Sequence, residues 1–111
     1  MSLRKKDIEG ISPTDRRWSW LEVDLDAIRH NINTVKTTIG PTKKLMVVVK
    51  ADAYGHGAPQ IAKTACNCGA TYLGVATVDE AIELRDAGIG ANILILSQPP
   101  HTAIPLLVKY N

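Results

Sequence analysis

An α/β fold of parallel βα units is predicted for this chain by three observations. Short apolar runs, rich in β-branched residues, alternate with segments of helical period in the order strand, helix, strand, helix, strand, helix, strand. The last three runs end at Lys50, Ala76 and Leu96, spaced 26 and 20 residues apart, which is the length of a βα unit. Turn chemistry closes each run: Gly55 and Gly57, then Thr77, then Pro99-Pro100. Such alternation gives parallel strands with helical crossovers, and periodicity leaves an open doubly wound sheet and a barrel equally available.

Taken in order, residues 1–17 are polar and charged without helical or strand period, and are expected to form a flexible or loosely docked leader. Trp18 to Leu25 alternates, with Leu21, Val23 and Leu25 on one side, and predicts a short half-buried strand. Asp24 or Asp26 then caps a helix whose Ile28, Ile32, Val35 and Ile39 form one face. Gly40-Pro41 stops it. Leu45 to Val49 reads as a buried strand. Pro59 suits the first turn of the next helix, which carries Ile61, Ala62, Ala65 and Cys66 as an apolar stripe and ends at Gly69. Tyr72 to Ala76 is the following strand. Thr77 with Glu80 three residues on is a capping box, opening a helix that covers the sheet with Val78, Ala81, Ile82 and the stem of Arg85. Ile93 to Leu96 is another buried strand. From His101 onward a short helix starting near Thr102 places Pro105 in its first turn.

Composition narrows the class. The 111 residues suit one small domain, and 45% hydrophobic with 22% charged residues is ordinary for a globular protein. A net charge of +2 is too small to argue for nucleic acid or an acidic membrane as partner, and neither is expected. No apolar run approaches the roughly 20 residues that span a bilayer, and the N-terminus lacks the apolar core of a signal peptide, so a cytoplasmic location is expected. Cys66 and Cys68, two apart and without further ligands in pattern, are expected to be packing residues; no metal site is expected.

The chemistry concentrates in Val48-Val49-Lys50-Ala51-Asp52-Ala53-Tyr54-Gly55-His56-Gly57. Lys50 ends a strand at its carboxyl end, where α/β folds place ligands. An amine leaving a hydrophobic strand is the nucleophile that a carbonyl cofactor needs for a Schiff base. A strand-terminal lysine that merely reaches to water has the same spacing.

This ten-residue stretch resembles the pyridoxal-phosphate lysine motif of bacterial alanine racemases. Trp20 to Ile32, Leu73 to Arg85 and Ile93 to Pro100 resemble further segments of that family in the same order, so the resemblance covers about residues 18 to 100. It implies the first part of a TIM-type (β/α)8 barrel, incomplete here because such a barrel takes about 250 residues, and places residues 18–111 in a partial cofactor-binding barrel domain. It implies pyridoxal 5'-phosphate as cofactor, alanine as substrate and a homodimeric isomerase of D-alanine biosynthesis. By residue, Lys50 resembles the lysine that holds the cofactor and serves as one of two acid/base groups. Tyr54 resembles the tyrosine that hydrogen-bonds the cofactor phosphate. Leu96 is placed near the cofactor ring or simply in a core strand. His56 is assigned to loop structure, and Gly55 and Gly57 to a sharp turn. The family's second base, a tyrosine acting across the dimer interface, and its arginine facing the pyridine nitrogen have no matching position. A broad-specificity racemase of the same fold and a non-catalytic barrel fragment that binds cofactor or self-associates stand as alternatives. A nucleotide-binding domain lacks its glycine-rich or Walker-type loop.

Overall fold

The computed structural model describes residues 18–111; the leader expected over residues 1–17 lies outside them. Helix α1 (Leu25–Ile39) opens on Asp24, whose carboxylate accepts from the N–H groups of Asp26 and Ala27, and closes at Gly40. Three strands follow, β1 (Met46–Val48), β2 (Tyr72–Val75) and β3 (Asn92–Ile95). They form one parallel sheet in the order β1-β2-β3, with Met46 opposite Tyr72 and Tyr72 opposite Asn92. Between β1 and β2 lie α2 (Lys50–Tyr54), a single left-handed turn, and α3 (Ala58–Asn67). Helix α4 (Val78–Asp86) connects β2 to β3, and a 3-10 turn (His101–Ala103) leads into α5 (Ile104–Tyr110) with its proline in the first turn.

Local sequence accounts for most of these boundaries. Pro59 sits in the first turn of α3, where a missing N–H costs little. Thr77 and Glu80 form the full capping box of α4. Lys36 of α1 donates to the Cys68 carbonyl at 2.7 Å, tying the end of α3 to α1. Arg85 donates to four carbonyls, those of Ile89, Ala91, Tyr110 and Asn111, and so locks the α4–β3 connection to the end of α5.

The core lies on one side of the sheet. Val49, Leu73 and Val75 meet Ile61, Ala62 and Ala65 of α3 and Leu84 of α4 there, and Leu73 and Leu84 are fully buried. Leu84 was not among the residues assigned to this helix face from the sequence; Val78, Ala81 and Ile82, which were, are half-buried around it. The opposite face is open. It carries Met46 and Val48 of β1 and Leu94 and Leu96 from β3 and its end, all exposed. Strands β1 and β3 are therefore half-buried rather than buried, because helices cover only one face among the described residues; β2, between them, is largely enclosed. Helices on one side, with consecutive strands stepping one way, are the arrangement of a barrel wall rather than of a sheet wound on both faces.

The strand expected over Trp18 to Leu25 is not formed. Trp20 Nε1 donates to Glu22 Oε1 within residues 18–24, but no described strand pairs with them, and α1 already begins at Leu25. Alternation predicts faces, and a ladder also needs a partner edge. Among the described residues no helix is long and apolar enough to cross a membrane.

Candidate active site

The carboxyl edge of the sheet brings three strand ends together. Val49 continues the β1 ladder by donating to Gly74 O at 2.8 Å, with its side chain buried on the helix side. Lys50 follows directly as the first residue of α2 and is half-buried. Beyond β3, Leu96 N donates to Val75 O at 2.8 Å, and its side chain lies on the open face at 48% exposure. Leu96 is accordingly not a core-strand residue. A Cβ at Gly74, midway between, would come within 3.2 Å of Met46 Sδ and Val48 Cγ2 and 3.5 Å of Leu96 Cδ1. The bare glycine lets these side chains lean over β2 and close an apolar strip on the open face.

After Lys50 the backbone turns left-handed. Ala51, Asp52, Ala53 and Tyr54 all have φ between 51° and 56°, and Gly55 follows at 85°. Left-handed conformation costs a non-glycine residue about 1–2 kcal/mol, and only Asp52 is of a type that tolerates it well. Two local hydrogen bonds and one tertiary one hold the turn. Asp52 Oδ1 accepts from Ala58 N at 2.7 Å, His56 Nδ1 donates to Ala53 O at 2.9 Å, and Glu80 Oε1 accepts from Ala51 N at 2.9 Å. His56 therefore serves the loop. Tyr54 emerges from this turn 67% exposed, its ring on the surface rather than packed into the loop.

Glu80 does more than cap its helix. Its second oxygen accepts from Ala76 N at 2.6 Å and from Thr77 N at 3.3 Å. Ala76 is also held through its carbonyl by the Ser97 hydroxyl, so the ends of β1, β2 and β3 are linked around one residue. Burial alone would raise the Glu80 carboxyl, but the three backbone N–H groups and the positive charge of Lys50 outweigh it and hold the group below the ordinary glutamate value. A depressed carboxyl stabilises the fold above its unfolded pKa and loses that contribution as pH falls through the folded one. Stability of the chain is thus expected to decline as pH drops below about 4.3, and E80Q to flatten the decline; thermal melts between pH 3 and 6 check this. Burial pushes the Cys66 thiol up, in keeping with a packing role on α3. Among the described residues no group of three His, Cys, Asp or Glu side chains could hold a metal.

Of the residues singled out from the sequence, Lys50 and Leu96 leave the same edge of one sheet, and Tyr54 reaches the surface one turn beyond Lys50. Glu80 and Asp52 were missed as site residues. Glu80 was legible only as a helix cap, since its partner Ala51 is 29 residues away.

Comparison with known proteins bears on the family and the fold. Residues 23–111 match the family model described as alanine racemase, N-terminal domain. The alanine racemase of Nostoc sp. is 58% identical over 78 residues, covering 70% of this chain and 20% of its own length. Alanine racemase 1 of Bacillus subtilis is 45% identical over 95 residues, covering 86% of this chain and 24% of its own. The crystal structure of the Bacillus anthracis alanine racemase with bound L-Ala-P superposes with a TM-score of 0.80 at 45% identity, over 82% of this chain and 24% of that one. The chain spans about a fifth to a quarter of the length of these relatives. With a family model matched over nearly all of the described residues and a barrel-wall fold shared at this identity, the chain belongs to the alanine racemase N-terminal domain family.

Proposed function

We propose that this chain is the cofactor-lysine portion of a pyridoxal-phosphate-dependent alanine racemase, with Lys50 as the residue that carries the cofactor. The observation that bears most weight is the placement of Lys50: a half-buried lysine directly after β1, at the carboxyl edge of a parallel sheet whose open face carries exposed apolar side chains. The residues present fit the group. Lys50 offers the amine for its aldehyde, Tyr54 an exposed phenol for its phosphate, and Leu96 with Val48 an apolar surface for its ring. When bound, pyridoxal phosphate supplies an electron sink that acidifies the α-hydrogen of an attached amino acid.

What the chain's own groups contribute follows from their positions. Lys50 holds the cofactor and, once its amine is free, takes or returns a proton on one face of the substrate α-carbon. Racemisation needs a second group on the opposite face, so these 111 residues with added cofactor are expected to convert no measurable L-alanine to D-alanine. In this reading the assembled protein is a cytoplasmic homodimer, as the family resemblance implies, with alanine as substrate.

The test of function is a chimaera in which residues 18–111 replace the matching segment of the Bacillus subtilis alanine racemase 1. Interconversion of L- and D-alanine by the folded, cofactor-loaded chimaera is expected. A chimaera that folds and binds cofactor but racemises nothing would refute the reading, and turnover of serine or lysine in place of alanine would move it to a broad-specificity racemase.

A further inference from the structure

Glu80 occupies a place in the sequence that a helix cap explains, yet its shortest hydrogen bonds are not the cap's. The capping contact to Thr77 N is 3.3 Å, while the bonds to Ala76 N and Ala51 N are 2.6 Å and 2.9 Å. Ala51 N is the first amide after Lys50. It lies in the first turn after β1, where a backbone N–H has no partner within the turn, so without Glu80 this donor would have no protein acceptor. One carboxylate oxygen thus holds the Lys50–Ala51 peptide unit while the other holds the end of β2. Resting on the reading of Lys50 as the cofactor lysine, we propose that Glu80 is a positioning residue for Lys50, fixing the lysine's backbone against β2 so that its amine is presented at the sheet edge.

The carboxylate is the only side chain of this length that can do so. A glutamine has one acceptor oxygen, and the side bearing two donors, Ala76 N and Thr77 N, takes it. Its amide NH2 would then face the Ala51 N–H, donor against donor. E80Q therefore keeps the helix cap and the β2 contact and releases the turn. Thr77→Ala is the converse control, because it deletes the hydroxyl that accepts from Glu80 N at 3.2 Å and leaves the Glu80 carboxylate in place.

Two measurements on the 111-residue chain test this. The first is amide exchange at Ala51 by NMR, which involves no cofactor. Release of a charge-assisted hydrogen bond is expected to speed exchange about tenfold or more in E80Q, with Ala51 in Thr77→Ala unchanged. The second is the ratio of borohydride-trapped pyridoxyl adduct at Lys50 to that at the exposed Lys43 and Lys63, read by peptide mass at a temperature where every variant is folded. The ratio is expected to fall at least about fivefold in E80Q and to hold in Thr77→Ala, even though the cap loss lowers the latter's melting temperature. Unchanged Ala51 exchange in E80Q, or an unchanged Lys50 ratio despite faster exchange, would overturn the positioning role. A parent chain that traps no cofactor at Lys50 would instead refute the cofactor reading, and with it the role of Glu80 toward that lysine, while the exchange result would still decide whether the Ala51 clamp exists.

Discussion

Replacing Lys50 with alanine is expected to abolish covalent capture of pyridoxal phosphate at this position. In the chimaera the same change is expected to lower racemisation by on the order of 10⁴-fold or more, the scale of losing a covalent catalytic group. The effect should be chemical rather than structural. Lys50 is half-buried at the sheet edge and takes no part in the core on the far face, so the melting temperature should move by the equivalent of less than about 1 kcal/mol. Lys63→Ala, an exposed change on α3, serves as control and should leave both capture and turnover intact. Activity of K50A within tenfold of the parent chimaera would show that the nucleophile lies elsewhere.

Leu84→Ala is expected to cost the chain about 2–5 kcal/mol, because the side chain has 0% exposure and truncation leaves a cavity between α4 and the sheet. A small domain has about 5–15 kcal/mol in all, so this one change removes a large share of its stability and lowers the melting temperature by more than about 10 °C. Leu94→Ala is the informative contrast. Leu94 stands on the open face at 46% exposure, and its loss should cost less than about 1 kcal/mol. Similar losses for the two leucines, by thermal or urea unfolding, would mean that the open face is covered in solution.

The elements most readable from sequence were those whose signals are local. Asp24, Pro59 and the Thr77–Glu80 pair mark helix starts because capping is decided within one turn, and all three positions hold in the structure. That β1, β2 and β3 run parallel followed from βα spacing in the same way, whereas their order in the sheet did not. What was not readable depends on partners far along the chain. Trp18 to Leu25 has strand alternation but no neighbouring edge among the described residues. The half-exposure of Leu94 and Leu96 reflects which face the helices cover, which an apolar run cannot encode. The left-handed turn at Ala51–Tyr54 contains no glycine to announce it, and one of the bonds that hold it comes from Glu80, 29 residues beyond Ala51. The site followed the same division. The motif around Lys50 was plain in the sequence, whereas the second task of Glu80 became visible only once the ends of β1 and β2 stood side by side.

In the proposed function, Lys50 presents its amine where pyridoxal phosphate can be held. The most direct measurement is to mix the chain with pyridoxal phosphate, reduce with borohydride and locate the adduct by peptide mass. A single adduct on Lys50 is the predicted result. Labelling scattered over Lys43, Lys63 and Lys109, or none at all, would contradict it.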